Sequence, residues 1–236
     1  MAARKDYQRA FSLYEEALEV GGQAGEVQAL TNLADVALAA GEFERAITYS
    51  ARAGGLADGQ DAEVVTAITA FNTASALIQL GRSNEAPPHL RDALETVVRI
   101  EYPELVGWCL VGAAAFAAPV EPREALNLLG AGEAAVRSAG AALGPAEQRL
   151  REWILVLLRE RLGPHELEKA LESGRSLRGR GVPRARVPRL THARPATRHR
   201  HLPLQRHRGV DPAPARAGRS LHGRPCGAPS GDARGS

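Results

Sequence analysis

The stretch Val27–Gly54, VQALTNLADVALAAGEFERAITYSARAG, constrains the fold more than any other part of the chain. Its apolar residues recur at the spacing of a helix rather than a strand, in two runs separated by Gly41. The residues on these faces are Leu30, Leu33, Ala34, Ala37 and Leu38 in the first run, and Phe43, Ala46, Ile47, Ser50 and Ala53 in the second. Gly41 stands where a left-handed helix cap is expected, and so short a turn forces the two helices to pack antiparallel as a hairpin.

Related segments recur along the chain. DYQRA, EFERA, SNEA and PREA end at Ala10, Ala46, Ala86 and Ala125, which are 36, 40 and 39 residues apart. A period of this size in a helical pattern is typical of stacked helix pairs, because one hairpin alone cannot bury its apolar stripes. The sequence therefore predicts an all-α fold, a solenoid of antiparallel helix hairpins.

The repeated positions resemble tetratricopeptide repeats. They are Leu30, Leu33, Ala34, Ala37, Gly41, Phe43, Ala46 and Ala53 in one copy, and Ala70, Ala74, Leu77, Gly81, Ala86, Leu90 and Ala93 in the next. The spacing exceeds the usual repeat of about 34 residues, and most of the large aromatic residues are replaced. The resemblance implies a TPR-like α-α superhelix of divergent repeats over residues 1–140.

In the resembled repeat, polar residues of the first helices line a concave groove for a peptide. The matching positions here are Gln28, Asn32 and Asp35 in one copy, and Asn72, Ser75 and Gln79 in the next. An asparagine amide can hold an extended peptide backbone, because it donates and accepts hydrogen bonds at once. The alternative is that these side chains are simply the solvated faces of their helices.

Residues 141–177 are expected to form a closing helical segment. Within residues 123–177, LLGAGEAAVR and ERLGPHELEKALESGRSL resemble the end of large bacterial, especially actinobacterial, regulators. Those regulators carry an ATPase domain, helical repeats and often a LuxR-type DNA-binding domain. The resemblance implies a non-catalytic interaction module. The apolar helix expected at Asp6–Val20 has no preceding partner helix, so either the chain is a piece of a larger regulator or something else covers this face.

Residues 178–236 differ sharply in composition. They contain 14 Arg, no Lys and two acidic residues, a formal charge of +12, which leaves −9 for residues 1–177 of a chain with net charge +3. Without periodicity, they predict a disordered basic tail, or the product of a shifted reading frame in a GC-rich gene. A genuine tail would bind nucleic acid non-specifically through phosphate contacts, which is the rival function.

Motifs for chemistry are weak. Gly130-Ala131-Gly132 fits a dinucleotide pattern but lacks a preceding strand, so close helix packing explains it better. HELEK at His165 lacks the second histidine of a zinc motif, and Cys109 lies among apolar residues. His199, His201 and His207 are scattered in the biased tail. We therefore predict no catalytic residue, no cofactor and no metal site.

Two further features concern location. Cys109 and Cys226 lie in different parts of the chain and indicate no disulfide framework. No apolar run reaches the roughly 18–20 residues of a membrane span, and the N-terminus lacks a signal-peptide segment. A cytoplasmic protein without a membrane partner is the expectation.

Helix boundaries follow from glycine and proline. We expect a linker at Gly21–Gly25, an N-cap at Asp61, a helix starting near Glu85 because Pro87-Pro88 fits only a first turn, and a helix from Pro145 to Leu162.

Overall fold

The structure is a computed structural model that describes residues 2–59 and 62–176. These residues belong to one compact unit, fold into nine α-helices and contain no strand, which confirms the all-helical class. The helices are α1 (Ala2–Val20), α2 (Gln23–Ala40), α3 (Phe43–Leu56), α4 (Ala62–Gln79), α5 (Ala86–Arg99), α6 (Pro103–Ala117), α7 (Pro122–Ser138), α8 (Pro145–Arg159) and α9 (Pro164–Arg175). The predicted tail at 178–236 and the predicted N-cap Asp61 lie outside the described residues.

The turn between α2 and α3 has the predicted cap. Gly41 adopts a φ of 82°, and its N–H donates to the carbonyl oxygen of Leu38 at 3.1 Å. Positive φ is nearly free of cost for glycine alone, so this residue ends α2 and reverses the chain. Ala34 and Ala46 are fully buried where the two helices pack together. The hairpin prediction is confirmed.

Two predicted boundaries are wrong. The linker expected at Gly21–Gly25 is shorter, because α2 already begins at Gln23 and includes Gly25 in its first turn. The helix that opens at Pro145 ends at Arg159 rather than Leu162. The residue before a proline is pushed toward extended backbone, and Gly163 before Pro164 has a ψ of 156°, so the chain leaves the helix ahead of it.

The proline argument holds for α5. This helix begins at Ala86 and places Pro87 and Pro88 in its first turn, where no intrahelical hydrogen bond from their nitrogens is needed. The last helix, α9, extends from Pro164 to Arg175.

Four helices form a ring around the interior. Helix α2 packs against α4, α4 against α6, α6 against α8, and α8 returns to pack against α2. The other helices lie outside this ring, with α1 on α2, α3 between α2 and α4, α5 between α4 and α6, and α7 between α6 and α9. The ring brings α8 back to the first hairpin of the chain.

The hydrophobic core consists of two clusters. The larger one is built from α4 to α9 and contains Leu150, Ile154 and Leu158 of α8. The smaller one is built from α1 to α3, with Ala76 added by α4 and Ala146 added by α8. Helix α8 therefore has its apolar contacts with the first hairpin at its N-terminal turn.

Glycines allow α7 to approach two neighbours closely. A Cβ on Gly132 would lie 2.8 Å from the carbonyl oxygen of Gly107 in α6, and a Cβ on Gly130 would collide with the carbonyl oxygen of Leu171 in α9. Both glycines lie inside α7, with helix on either side. The interpretation of the Gly130-Ala131-Gly132 pattern as close helix packing is confirmed.

Candidate partner-binding surface

Two of the predicted groove residues are joined directly. The side-chain amide of Asn72 in α4 donates to a carboxylate oxygen of Asp35 in α2 at 2.7 Å. Asn72 is 1% exposed, whereas Asp35 is partly buried. The packing of α2 on α4 places these positions side by side, so a polar pair lies where the resemblance to tetratricopeptide repeats predicts a binding stripe.

The other four residues lie in different environments. Gln28 is exposed and donates to the side-chain oxygen of Asn32 at 3.2 Å, so these two amides reach the surface of α2. Ser75 is buried, and its hydroxyl has no hydrogen-bond partner among the described residues. Gln79 is partly buried. The structure thus brings together Asp35 with Asn72 and Gln28 with Asn32, and it buries Asn72 and Ser75 away from a surface groove.

A residue that the sequence analysis missed completes this region. Glu147 is 5% exposed at the third position of α8, after Gly144 and Pro145. Its carboxylate accepts hydrogen bonds from the backbone N–H of Glu147 itself and of Gly144. An acidic residue three positions after an N-cap is a known helix-start signal, so the Gly-Pro-Ala-Glu segment could have identified the hydrogen bonds but not the burial.

The charges of Asp35 in α2 and Glu104 in α6 both act on the carboxyl group of Glu147 in α8. Burial raises the pKa of Asp35 to about 6, against the hydrogen bond from Asn72, which lowers it. The pKa of Glu147 is raised to about 7, mainly by burial and then by the charges of Asp35 and Glu104, while the two backbone N–H groups act in the opposite direction. The region therefore holds acids that take up protons near neutral pH, because their charged forms are poorly solvated.

Arg149 attaches α8 to the first hairpin. Its guanidinium lies 5.6 Å from the ring centre of Phe43, and a Cβ on Gly41 would lie 2.7 Å from one of its terminal nitrogens. Burial lowers the pKa of Arg149, while the charges of Tyr7 and Glu152 raise it. The positive charge of Arg149 interacts favourably both with the C-terminal end of the α2 dipole and with the aromatic ring of Phe43.

The opposite face of α8 is held by a three-residue ionic cluster. Glu133 of α7 is 9% exposed and accepts from Arg151 of α8 at 2.6 Å and from Arg175 of α9 at 3.0 Å. Both oxygens of the carboxylate are engaged, one by each arginine. Such charge-assisted bonds fix the relative positions of three helices.

The candidate catalytic and metal-binding side chains do not lie together in a reactive centre. Cys109 is 2% exposed, and burial raises the pKa of its thiol to about 12, so the reactive thiolate is disfavoured. His89 lies in α5 and His165 in α9. Across residues 2–59 and 62–176 no group of three or more His, Cys, Asp or Glu side chains is placed to hold a metal ion. The scattered histidines His199, His201 and His207 lie outside the described residues.

Comparisons of the chain with protein-family models, curated proteins and solved structures return no match. Among the helices that the structure describes, none is both long enough and apolar enough to cross a membrane.

Proposed function

We propose that this chain is a non-catalytic protein-interaction module that binds a segment of a partner protein on the α2 and α4 side of its helical ring. The observation that carries the proposal is the packing of α8 against α2 and α6. Helices α2 and α6 already accommodate one helix, α8. On the side of α2, α8 presents small and polar side chains, Ala146 and Glu147 among them.

The accessible part of this surface supplies suitable groups. Gln28 and Asn32 lie one turn apart on α2, joined by a hydrogen bond between their amides. Each amide retains further donors and acceptors that can pair with the backbone of an extended segment. The partner is proposed to be a peptide or a neighbouring domain of a larger bacterial signal-responsive regulator, such as its ATPase or DNA-binding domain.

The proposal includes a tetratricopeptide-like arrangement of the helices. We interpret α2 to α7 as divergent tetratricopeptide-like hairpins, in which α2, α4 and α6 are the first helices and α3, α5 and α7 the second. The contacts of α2 with α4 and of α4 with α6 support this assignment, because successive first helices stack side by side in such an array. A cytoplasmic location is part of this proposal.

Photo-crosslinking in the full chain tests the function. A photoreactive amino acid at Gln28 or Asn32 is expected to capture a partner protein in cells, whereas the same group at the exposed Glu95 of α5 is the matched control. Replacing the neighbouring amide, Asn32→Ala beside a probe at Gln28, should reduce the capture. Equal capture at Glu95, or no capture from α2, would contradict the proposal.

The rival function, nucleic-acid binding through the tail, makes a different prediction. The affinity of binding through phosphate contacts falls steeply as the salt concentration rises, and such binding does not involve the α2 surface. If full-length protein binds random-sequence DNA with such a salt dependence and α2 captures no protein, the nucleic-acid function replaces the interaction module.

A further inference from the structure

We propose that two copies of this chain associate through the outer side of α1, with the two α1 helices antiparallel across a two-fold axis beside Leu13. This contact lies on a different helix from Gln28 and Asn32, the residues of α2 that the proposed function uses. The proposal goes beyond that function and does not depend on it.

Helix α1 has one side packed and one side open. Its packed side lies on α2 through the buried Phe11, and Arg45 of α3 reaches the same helix with an ion pair to Glu15 at 3.0 Å. The open side includes Leu13 and Val20, which are 56% and 83% exposed. Of the large apolar side chains that lie exposed in the described residues, these two share one helix, so the open side of α1 is a surface that a partner can cover.

The open side has the residue spacing of a helix-packing seam. Four exposed residues follow one another at intervals of four, three and four positions, namely Arg9, Leu13, Glu16 and Val20. Residues at this spacing lie along one side of a helix, and it is the spacing at which two helices pack along their length. The stripe therefore suits another helix, with an apolar residue between two charges of opposite sign.

The charges of α1 are separated along the helix. Residues 2–12 include three basic residues and one acidic residue, whereas residues 14–20 include three acidic residues and no basic residue. Arg9 and Glu16 take no part in the ion pairs of the described residues. Two α1 helices packed in parallel and in register would bring like charges together, whereas antiparallel packing brings opposite charges together. The charge pattern therefore fits a second copy of this chain in the antiparallel orientation.

Helix geometry places the two charges at matching distances from Leu13. At a rise of 1.5 Å per residue, Arg9 lies about 6 Å before Leu13 along the axis, and Glu16 lies about 4.5 Å after it. With Leu13 beside the two-fold axis, Arg9 of each copy lies opposite Glu16 of the other, and the symmetry forms this pair twice. A single pair of helices buries less than the roughly 1,200 Å² of a standard interface, so the dimer is expected to be weak and to dissociate on dilution.

The test measures association of the full chain by sedimentation equilibrium over a range of concentrations. Arg9→Glu and Glu16→Arg should each lower the association constant at least tenfold, because each places like charges opposite one another at both pairs. An equimolar mixture of the two variants should restore association, since every pair between them again joins opposite charges. This restoration requires contact between two chains, so an effect of either substitution within one chain does not produce it.

Matched controls separate this contact from the rest of the surface. Leu13→Asp should weaken association at least tenfold. Val156→Asp in α8 and Arg91→Glu in α5 change an exposed apolar residue and an exposed charge elsewhere, and both should leave the association constant unchanged. Because all these positions are exposed, the helical content should not change, and circular dichroism checks this.

Disulfide formation provides a second measurement. Leu13→Cys, in a chain with Cys226→Ser and the buried Cys109 retained, should form a disulfide-linked dimer with oxidised glutathione. Val20→Cys should crosslink at least tenfold more slowly, because in the antiparallel pair the two positions lie about 21 Å apart along the axis. Equally fast crosslinking at both positions would indicate parallel helices and overturn the proposed arrangement.

Two results of the sedimentation experiment would overturn the α1 contact. One is a chain that stays monomeric at every concentration. The other is association that is equally strong after Arg9→Glu, Glu16→Arg and Leu13→Asp, which would assign it to another surface, such as the basic residues of 178–236. Capture of a partner from Gln28 or Asn32 does not depend on either result, so the dimer and the proposed function can fail separately.

Discussion

Asn72 and Asp35 are separated by 37 residues in sequence and form a 2.7 Å hydrogen bond between α2 and α4. The two residues lie in successive hairpins, so the bond joins a polar residue of the first hairpin to a polar residue of the second. A bond of this kind fixes the register of adjacent hairpins, because a shift by one residue along either helix breaks it.

Loss of this bond should destabilise the fold. Asn72→Ala leaves the partly buried Asp35 carboxyl without its donor, and we expect a decrease of about 1–3 kcal/mol in the free energy of unfolding. Urea unfolding at pH 7 followed by circular dichroism measures it. Gln79→Ala, one further residue of the predicted stripe, is the control and should change the value by less than about 0.5 kcal/mol.

Removal of the Glu147 charge should stabilise the protein only at higher pH. Burial and the neighbouring acids raise the pKa of Glu147 to about 7, so in the native state the carboxyl is neutral at pH 5 and charged at pH 8. Glu147→Gln should therefore raise the unfolding free energy by up to about 3 kcal/mol at pH 8 and by little at pH 5. Chemical unfolding at both values checks this, and an equal gain at pH 5 and pH 8 would contradict the assignment.

The cluster around Glu133 should contribute more to stability than an exposed ion pair does. Glu133→Ala leaves Arg151 and Arg175 without their shared, buried partner, and we expect a loss of about 1–3 kcal/mol, since both arginines keep some contact with solvent. Glu166→Ala removes the exposed partner of Arg123 and should cost no more than about 1 kcal/mol. Thermal unfolding compares the two variants directly.

Substitution of two helical glycines by alanine is expected to change the free energy of unfolding in opposite directions. Gly130→Ala forces a Cβ against the carbonyl oxygen of Leu171, so a loss of about 1–3 kcal/mol is expected despite the better helix propensity of alanine. Gly25 lies in the first turn of α2, and a Cβ added there would meet nothing within 4 Å. Gly25→Ala should therefore be neutral or stabilise by up to about 1 kcal/mol. Urea unfolding of both variants distinguishes packing from propensity.

Local features of the sequence predict the helices well. The periodic apolar residues and Gly41 identify α2 and α3, and Pro87-Pro88 positions the start of α5, because each of these signals acts within a few residues. No local sequence signal predicts the contact of α8 with α2, because the contact joins residues more than 100 positions apart. It also depends on the turn at 139–144, which leads from α7 into α8. For the same reason Glu147 has the sequence pattern of a solvated acid at the start of a helix, and its burial became visible only in the folded chain.

The division of the core into two clusters also has a consequence for the order in which the chain unfolds. Helices α4 to α9 share one large cluster, whereas α1 to α3 depend on a smaller one. Regions with fewer buried contacts open at lower free energy, so amide hydrogens of α1 to α3 should exchange with solvent deuterium before those of α6 and α7. The first hairpin would then be the part of the protein that detaches and redocks most often, and the remaining helices would act as the template on which it folds.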